Sequence, residues 1–103
     1  MDTLVVLFKL RPDADVSAYE AWAKSTDLPV VRRLPSVDRF DIYRCQGLLG
    51  SDEAAPYDYV ELIDIRDLQG FGNDVATATM TKVAQEFRSF ASNPVFMLTR
   101  QFS

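Results

Sequence analysis

Residues Leu4–Leu10 read LVVLFKL. Leu4, Val6, Phe8 and Leu10 alternate with Val5 and Leu7, so both sides of an extended segment are apolar until Lys9. A short strand of this kind is buried on both faces, and the rest of the chain must supply what covers it.

Downstream, Arg11-Pro12-Asp13 ends the strand, and Asp13 or Asp15 caps a helix through its carboxylate. Val16, Tyr19, Trp22 and Ala23 form one stripe at helical spacing, with Glu20 and Lys24 as an exposed pair four residues apart. Pro29 ends or bends this helix. Leu28–Leu34 (LPVVRRL) reads either as a connection or as a second short helical turn.

Pro35-Ser36 opens a second strand, Val37–Gln46 (VDRFDIYRCQ), with Phe40 and Ile42 on one side and Arg39, Asp41, Tyr43 and Cys45 on the other. A loop over Gly47–Pro56 leads to a third strand, Tyr57–Arg66 (YDYVELIDIR). Asp67 caps a short turn interrupted by Gly70 and Gly72. Asn73 or Asp74 then caps the main helix, whose stripe is Val75, Thr79 or Met80, Val83, Phe87 and Phe90. Asn93-Pro94 stops it, and Val95–Phe102 is the last strand.

The order β-α-β-β-α-β predicts an α+β, ferredoxin-like domain over residues 1–103: a four-stranded antiparallel sheet with two helices on one face. Right-handed crossovers favour the strand order 4-1-3-2. The best-matched helix-side set is Leu4, Val6, Phe8, Phe40, Ile42, Val60, Leu62, Phe96 and Leu98. The opposite face then carries Val5, Leu7, Lys9, Asp41, Tyr43, Cys45, Tyr57, Tyr59, Glu61, Ile63, Val95, Met97, Thr99 and Gln101. That face is too apolar for a solvated surface, which predicts a homodimer with sheet against sheet.

Composition narrows function by exclusion. A formal net charge of −4 argues against a nucleic-acid backbone as partner. No apolar run approaches the length of a membrane span, and Met1-Asp2-Thr3 lacks a basic leader region, so neither membrane insertion nor a secretory signal is expected. One cysteine, Cys45, permits no internal disulfide and fits a reducing cytoplasm. The absence of histidine removes Ser-His-Asp and Cys-His catalysis, His-bound metal and the commonest general base. No metal-ligand spacing, phosphate cradle or dinucleotide fingerprint appears, so no cofactor is expected.

What remains for chemistry is carboxyls, phenols and guanidinium groups. Tyr43, Tyr59 and Glu61 lie on one face of neighbouring strands in the register above; they can act as acid and base if burial shifts the carboxyl, or serve as polar contacts with Glu61 paired to Lys9 or Arg39. Arg32 and Arg33 can clamp an anion or be surface charges. Trp22, with Phe40, Phe71 and Phe87, can wall a flat-ligand pocket between helices and sheet, or simply fill the core.

The segments Leu28-Pro29, Arg32-Arg33-Leu34-Pro35-Ser36-Val37, Tyr57-Asp58-Tyr59-Val60-Glu61 and Asn93-Pro94-Val95-Phe96 resemble the RedY-like / HapK family over nearly the whole chain. The resemblance implies the dimeric α+β barrel architecture and an accessory role in secondary metabolism of the prodigiosin-pigment type, on a small pyrrole- or indole-like intermediate. Three functions follow. The first is a cofactor-independent enzyme on such an aromatic. The second is a non-catalytic dimer that binds or chaperones it. The third is a structural or stress-linked dimer without ligand. Composition and spacing do not choose between them.

Overall fold

The structure, a computed structural model, describes residues 1–103. Its elements are β1 (Asp2–Leu10), α1 (Val16–Trp22), a π-helical segment (Ala23–Asp27), α2 (Leu28–Arg32), β2 (Val37–Arg44), β3 (Tyr59–Ile65), α3 (Leu68–Val75), α4 (Ala78–Phe90) and β4 (Ala91–Arg100). The sheet order is β2-β3-β1-β4 with every neighbouring pair antiparallel, the succession anticipated from the element order. β1 lies between two strands; its helix-side residues Val6 and Phe8 are buried, while Val5 and Leu7 on the other face are half-buried.

Asp15 caps α1, its Oδ2 accepting from the Ala18 N–H at 3.1 Å. The chain then stays helical as far as Arg32 instead of breaking at Pro29. Pro29 has no N–H to donate to the preceding turn, and the helix widens to π register just before it. The widening aims side chains. In an α-helix a four-residue step drifts about 40° around the axis. A wider turn cancels that drift, so Tyr19, Ala23, Asp27 and Val31 all stay buried on the sheet side.

Several boundaries differ from expectation: β2 ends at Arg44 rather than Gln46, β3 spans Tyr59–Ile65 rather than Tyr57–Arg66, and β4 spans Ala91–Arg100 rather than Val95–Phe102. The main helix is capped not by Asn73 or Asp74 but by Thr77, whose Oγ1 accepts from the Met80 N–H at 3.3 Å. Asn73 and Asp74 belong to α3, and the Asp74 carboxylate accepts from the N–H and hydroxyl of Ser36, at 3.1 and 2.6 Å, tying α3 to the start of β2. α4 ends at Phe90, and β4 starts at once. Asn93 is not a helix stop but sits inside β4 with φ 47°, where the β1 register shifts between Leu7 and Lys9. Asparagine tolerates this left-handed backbone, and Pro94 is accommodated because β4 is an edge strand.

The assigned face of β3 is corrected. Val6 lies opposite Glu61, Phe8 opposite Tyr59 and Leu4 opposite Ile63. Directly opposed residues point to the same side of a sheet, so Tyr59, Glu61, Ile63 and Ile65 face the helices, and Val60 and Leu62 face outward. Glu61 therefore pairs with neither Lys9 nor Arg39; Arg39 instead meets Asp41 and Asp64 on the outer face. Phe96 and Leu98 do lie on the helix side, opposite Val6 and Leu4, but the helices stop short of β4 and leave them 57% and 54% exposed.

The core has two apolar clusters. One gathers Val6, Phe8, Tyr19, Ala23, Tyr59, Phe87 and Ala91; the other gathers Val31, Val37, Phe40, Ile63, Ile65, Met80 and Val83. On β3 the residue between Tyr59 and Ile63 is Glu61. On the long helix the residue midway between Ala23 and Val31 is Asp27. Both acids thus stand at the seam between the clusters.

Candidate functional site

The seam is hollow. A cavity of about 340 Å³ lies between sheet and helices, with Leu4, Val6, Phe40, Glu61 and Ile63 from the strands and Asp27, Val31, Phe71, Met80, Val83 and Phe87 from the helices. Its lining reaches the surface at Val75, Arg88 and Phe96, all exposed. Of the fifteen lining residues only Asp27, Glu61 and Arg88 are polar, so the walls are greasy and the chemistry is confined to two carboxyls and one rim cation.

Both carboxyls are 5% exposed. Glu61 Oε2 is buried without a hydrogen-bond partner. Burial, and then the neighbouring Asp27, push the Glu61 carboxyl well above its ordinary range. Burial alone pushes Asp27 up to about 7. Removing water disfavours a carboxylate, and two acids sharing a dry space cannot both ionise cheaply. Burial therefore favours the protonated form of both acids relative to their free side chains. The Tyr19 hydroxyl is also buried and unpartnered, and burial followed by the nearby Glu61 and Asp27 raises its phenol too.

A second cavity, of about 280 Å³, lies along the α1 side and includes Tyr19, Glu20, Lys24, Leu28, Ile42, Arg44 and Tyr59. Here the Tyr59 hydroxyl donates to Glu20 Oε2 at 2.6 Å, and Arg44 Nε donates to the same oxygen at 2.8 Å. Burial and Glu20 push the Tyr59 phenol up to about 12, while hydrogen bonds from Arg44 and Tyr59 hold Glu20 below its usual range. The Tyr59 hydroxyl thus donates to the part-buried Glu20 carboxylate, and its raised phenol favours the protonated form.

The residues singled out in the sequence separate accordingly. Glu61, Phe40, Phe71 and Phe87 line the first cavity, and Tyr59 lines the second. Tyr43 is exposed on the outer sheet face, opposite Val60. Trp22 is not among the cavity residues: it packs on Tyr19 and Phe90, and its Nε1 donates to Glu86 at 3.4 Å. Arg32 does not reach the cavity either, its Nε donating to the Phe40 carbonyl at 2.9 Å and its Nη2 to Asp41 at 3.2 Å. Arg33 is exposed at the end of α2. Asp27 was not singled out. Its signal is the four-residue step from Tyr19 through Ala23, which reaches Asp27 and then Val31.

This arrangement of an antiparallel sheet roofed by helices is matched among known proteins. The profile of the HapK family, described as REDY-like protein HapK, matches residues 2–102. The chain belongs to that family. HapK from Hahella chejuensis is 32% identical, with 100% of this chain and 95% of that chain covered at a TM-score of 0.76. At lower identity only the fold is shared. SnoaB, a cofactor-independent oxygenase from Streptomyces nogalater, is 18% identical, covering 99% and 93% of the two chains at TM-score 0.78. A dimeric ferredoxin-like protein of unknown function from Thermobifida fusca is 15% identical, covering 97% and 90% at TM-score 0.76. No curated protein matches the sequence. The relationship of this HapK-family chain to those structures agrees with its four-stranded sheet and helical layer. No helix is long and apolar enough to cross a membrane.

Proposed function

We propose that this HapK-family protein takes up a small flat aromatic intermediate of secondary metabolism and moves a proton on it without a cofactor, in the cavity under the helices. The observation that carries this function is Glu61: a nearly enclosed carboxyl in an apolar cavity, with one oxygen free of any protein partner. Buried polar groups are paired unless something else uses them. An acid whose proton is retained more strongly because it is buried suits a general acid, and Asp27 beside it supplies a group able to accept. The aromatic walls Phe40, Phe71 and Phe87 suit a planar ring, and the volume suits one or two fused rings. Family membership supports the link to pigment-type biosynthesis, and a pyrrole or indole ring is electron-rich enough to take a proton at carbon.

The step balances within the cavity. Glu61 gives its proton to a ring carbon; the ring becomes a cation and Glu61 a carboxylate. Return of the ring's original hydrogen to that carboxylate restores both. In heavy water each cycle leaves deuterium on the ring, so indole serves as a probe. Exchange at indole C3, followed by proton NMR, is expected to run about ten-fold or more above buffer with the native protein and to fall to the buffer rate in Glu61→Gln. Binding of indole without exchange supports the non-catalytic carrier instead.

We further infer that the working form is a homodimer closed through the outer sheet face. Val5, Leu7, Val60, Leu62, Val95 and Met97 form an apolar centre there, with Tyr43 and the Arg39–Asp41–Asp64 cluster around it. A patch of this kind favours self-association, and the description of the Thermobifida fusca structure as dimeric agrees. Sedimentation equilibrium is expected to give twice the chain mass of 11.6 kDa, and Leu62→Lys is expected to give the single chain by placing a charge at the centre of the contact. A native protein that sediments as one chain at micromolar concentration overturns the dimer.

A further inference from the structure

We propose that the cavity selects a cationic nitrogen ligand, an amidinium-like edge on an aromatic ring, gripped by Asp27 and Glu61 together. This rests on the cavity being a site for a flat aromatic, as proposed above, and assigns the charge of that ligand. Three observations point the same way. Asp27 and Glu61 line one cavity from opposite layers, helix and sheet, so a planar group can lie between them. Glu61 Oε2 is buried and unpartnered, and none of the ion pairs in the structure involves either acid. Finally, no cation lines the interior: Arg88 is exposed at the rim, while Arg32 and Arg33 lie outside.

An anionic ligand would enter this space against two acids with no counter-charge. A neutral one would leave at least one carboxyl oxygen unmatched. A cationic N–H edge satisfies both, because it brings donors and positive charge into the same dry volume. It also offsets the burial that raises Asp27, so binding favours the Asp27 carboxylate and releases its proton, while Glu61 accepts an N–H through Oε2. The groups around Asp27 that govern this are Glu61 from β3, Tyr19 from α1 and Arg88 from α4, of which only Arg88 opposes ligand charge.

Benzamidine, benzamide and benzoate share one shape and differ in charge, and benzamidine stays cationic throughout the range of measurement. Binding is followed by NMR, through the methyl signals of Val83 and Met80 inside the cavity. Benzamidine is expected to bind about ten- to hundred-fold more tightly than benzamide at pH 8, and benzoate more weakly than either. Its affinity is expected to rise from pH 6 to pH 8 as Asp27 gives up its proton. Asp27→Asn and Glu61→Gln are each expected to lose about ten-fold for benzamidine while keeping benzamide. Both replacements are near-isosteric and remove a buried acid, so the fold is retained.

Equal binding of benzamidine and benzamide overturns the charge assignment and leaves the cavity as a site for neutral aromatics. Benzamidine signals confined to surface acids such as Asp13 and Asp15 overturn it as well. If none of the three probes moves Val83 or Met80, both the charge assignment and the cavity function fall.

Discussion

Asp27→Asn is expected to make the protein more stable at pH 8 by about 2–4 kcal/mol, and to make little difference near pH 4. The sign follows from where the proton sits. Asp27 titrates at about 7 in the folded protein, against 3.8 for the free side chain. Below pH 4 both folded and unfolded chains hold the proton, so the group does not discriminate between them. Between about 4 and 7 the unfolded chain releases it and the folded chain does not, so native stability falls as pH rises through that window. Asparagine has no proton to lose and escapes the fall. Urea unfolding of both proteins at pH 4 and pH 8 measures the difference. Glu61→Gln acts in the same direction, because its carboxyl is raised by burial and by Asp27. The two gains are not additive, since each acid is part of the cost of ionising the other. A variant less stable than the native protein at pH 8 would show that Asp27 has a partner in solution.

Phe8→Ala is expected to cost about 3–5 kcal/mol, the range for deleting a fully buried aromatic ring. Phe8 is 0% exposed and joins four elements. Its ring lies edge-on to Tyr19 of α1 at 5.6 Å and to Phe87 of α4 at 4.9 Å, and stacks on Tyr59 of β3 at 5.5 Å. Removing it leaves a void between sheet and helices that three large rings cannot fill without leaving their rotamers. Phe102→Ala is the control: that ring is 99% exposed, and its loss is expected to change stability by less than about 0.5 kcal/mol. Denaturant titration of the two variants separates them. Equal losses would mean that Phe8 is not the keystone of the first cluster, and that Phe102 is covered in solution, most simply by a second chain.

The fold was readable because its signals are local and repeated. The alternation in Leu4–Leu10, the order of strands and helices, and the handedness of crossovers together specify the strand order that the structure shows. The acid in the middle of YDYVELIDIR was readable as unusual. Its side of the sheet was not. Val60 and Leu62 form one apolar row of β3, and Tyr59, Ile63 and Ile65 form the other, so the pattern within the strand does not say which row goes in. A glutamate in the second row favours water by itself; only the cavity gives it a place inside. Arg32 and Arg33 were readable either as an anion clamp or as surface charges. Arg32 is used instead to hold the backbone of β2 at Phe40 and the side chain of Asp41.

The amino-acid sequence alone determines the domain, its six-part β-α-β-β-α-β frame, the central place of β1 and the absence of histidine chemistry, because each depends on residue type or on short-range periodicity. The tertiary structure decides that Glu61 faces the helices and that Asp27 meets it. The first is set by hydrogen-bond register with β1, more than fifty residues away in the chain. The second is set by a π-widened turn before Pro29 that rotates Asp27 toward the sheet. The register arises only when two distant segments are brought into contact; the widened turn is local, and it places Asp27 opposite Glu61 only once the helix packs on the sheet.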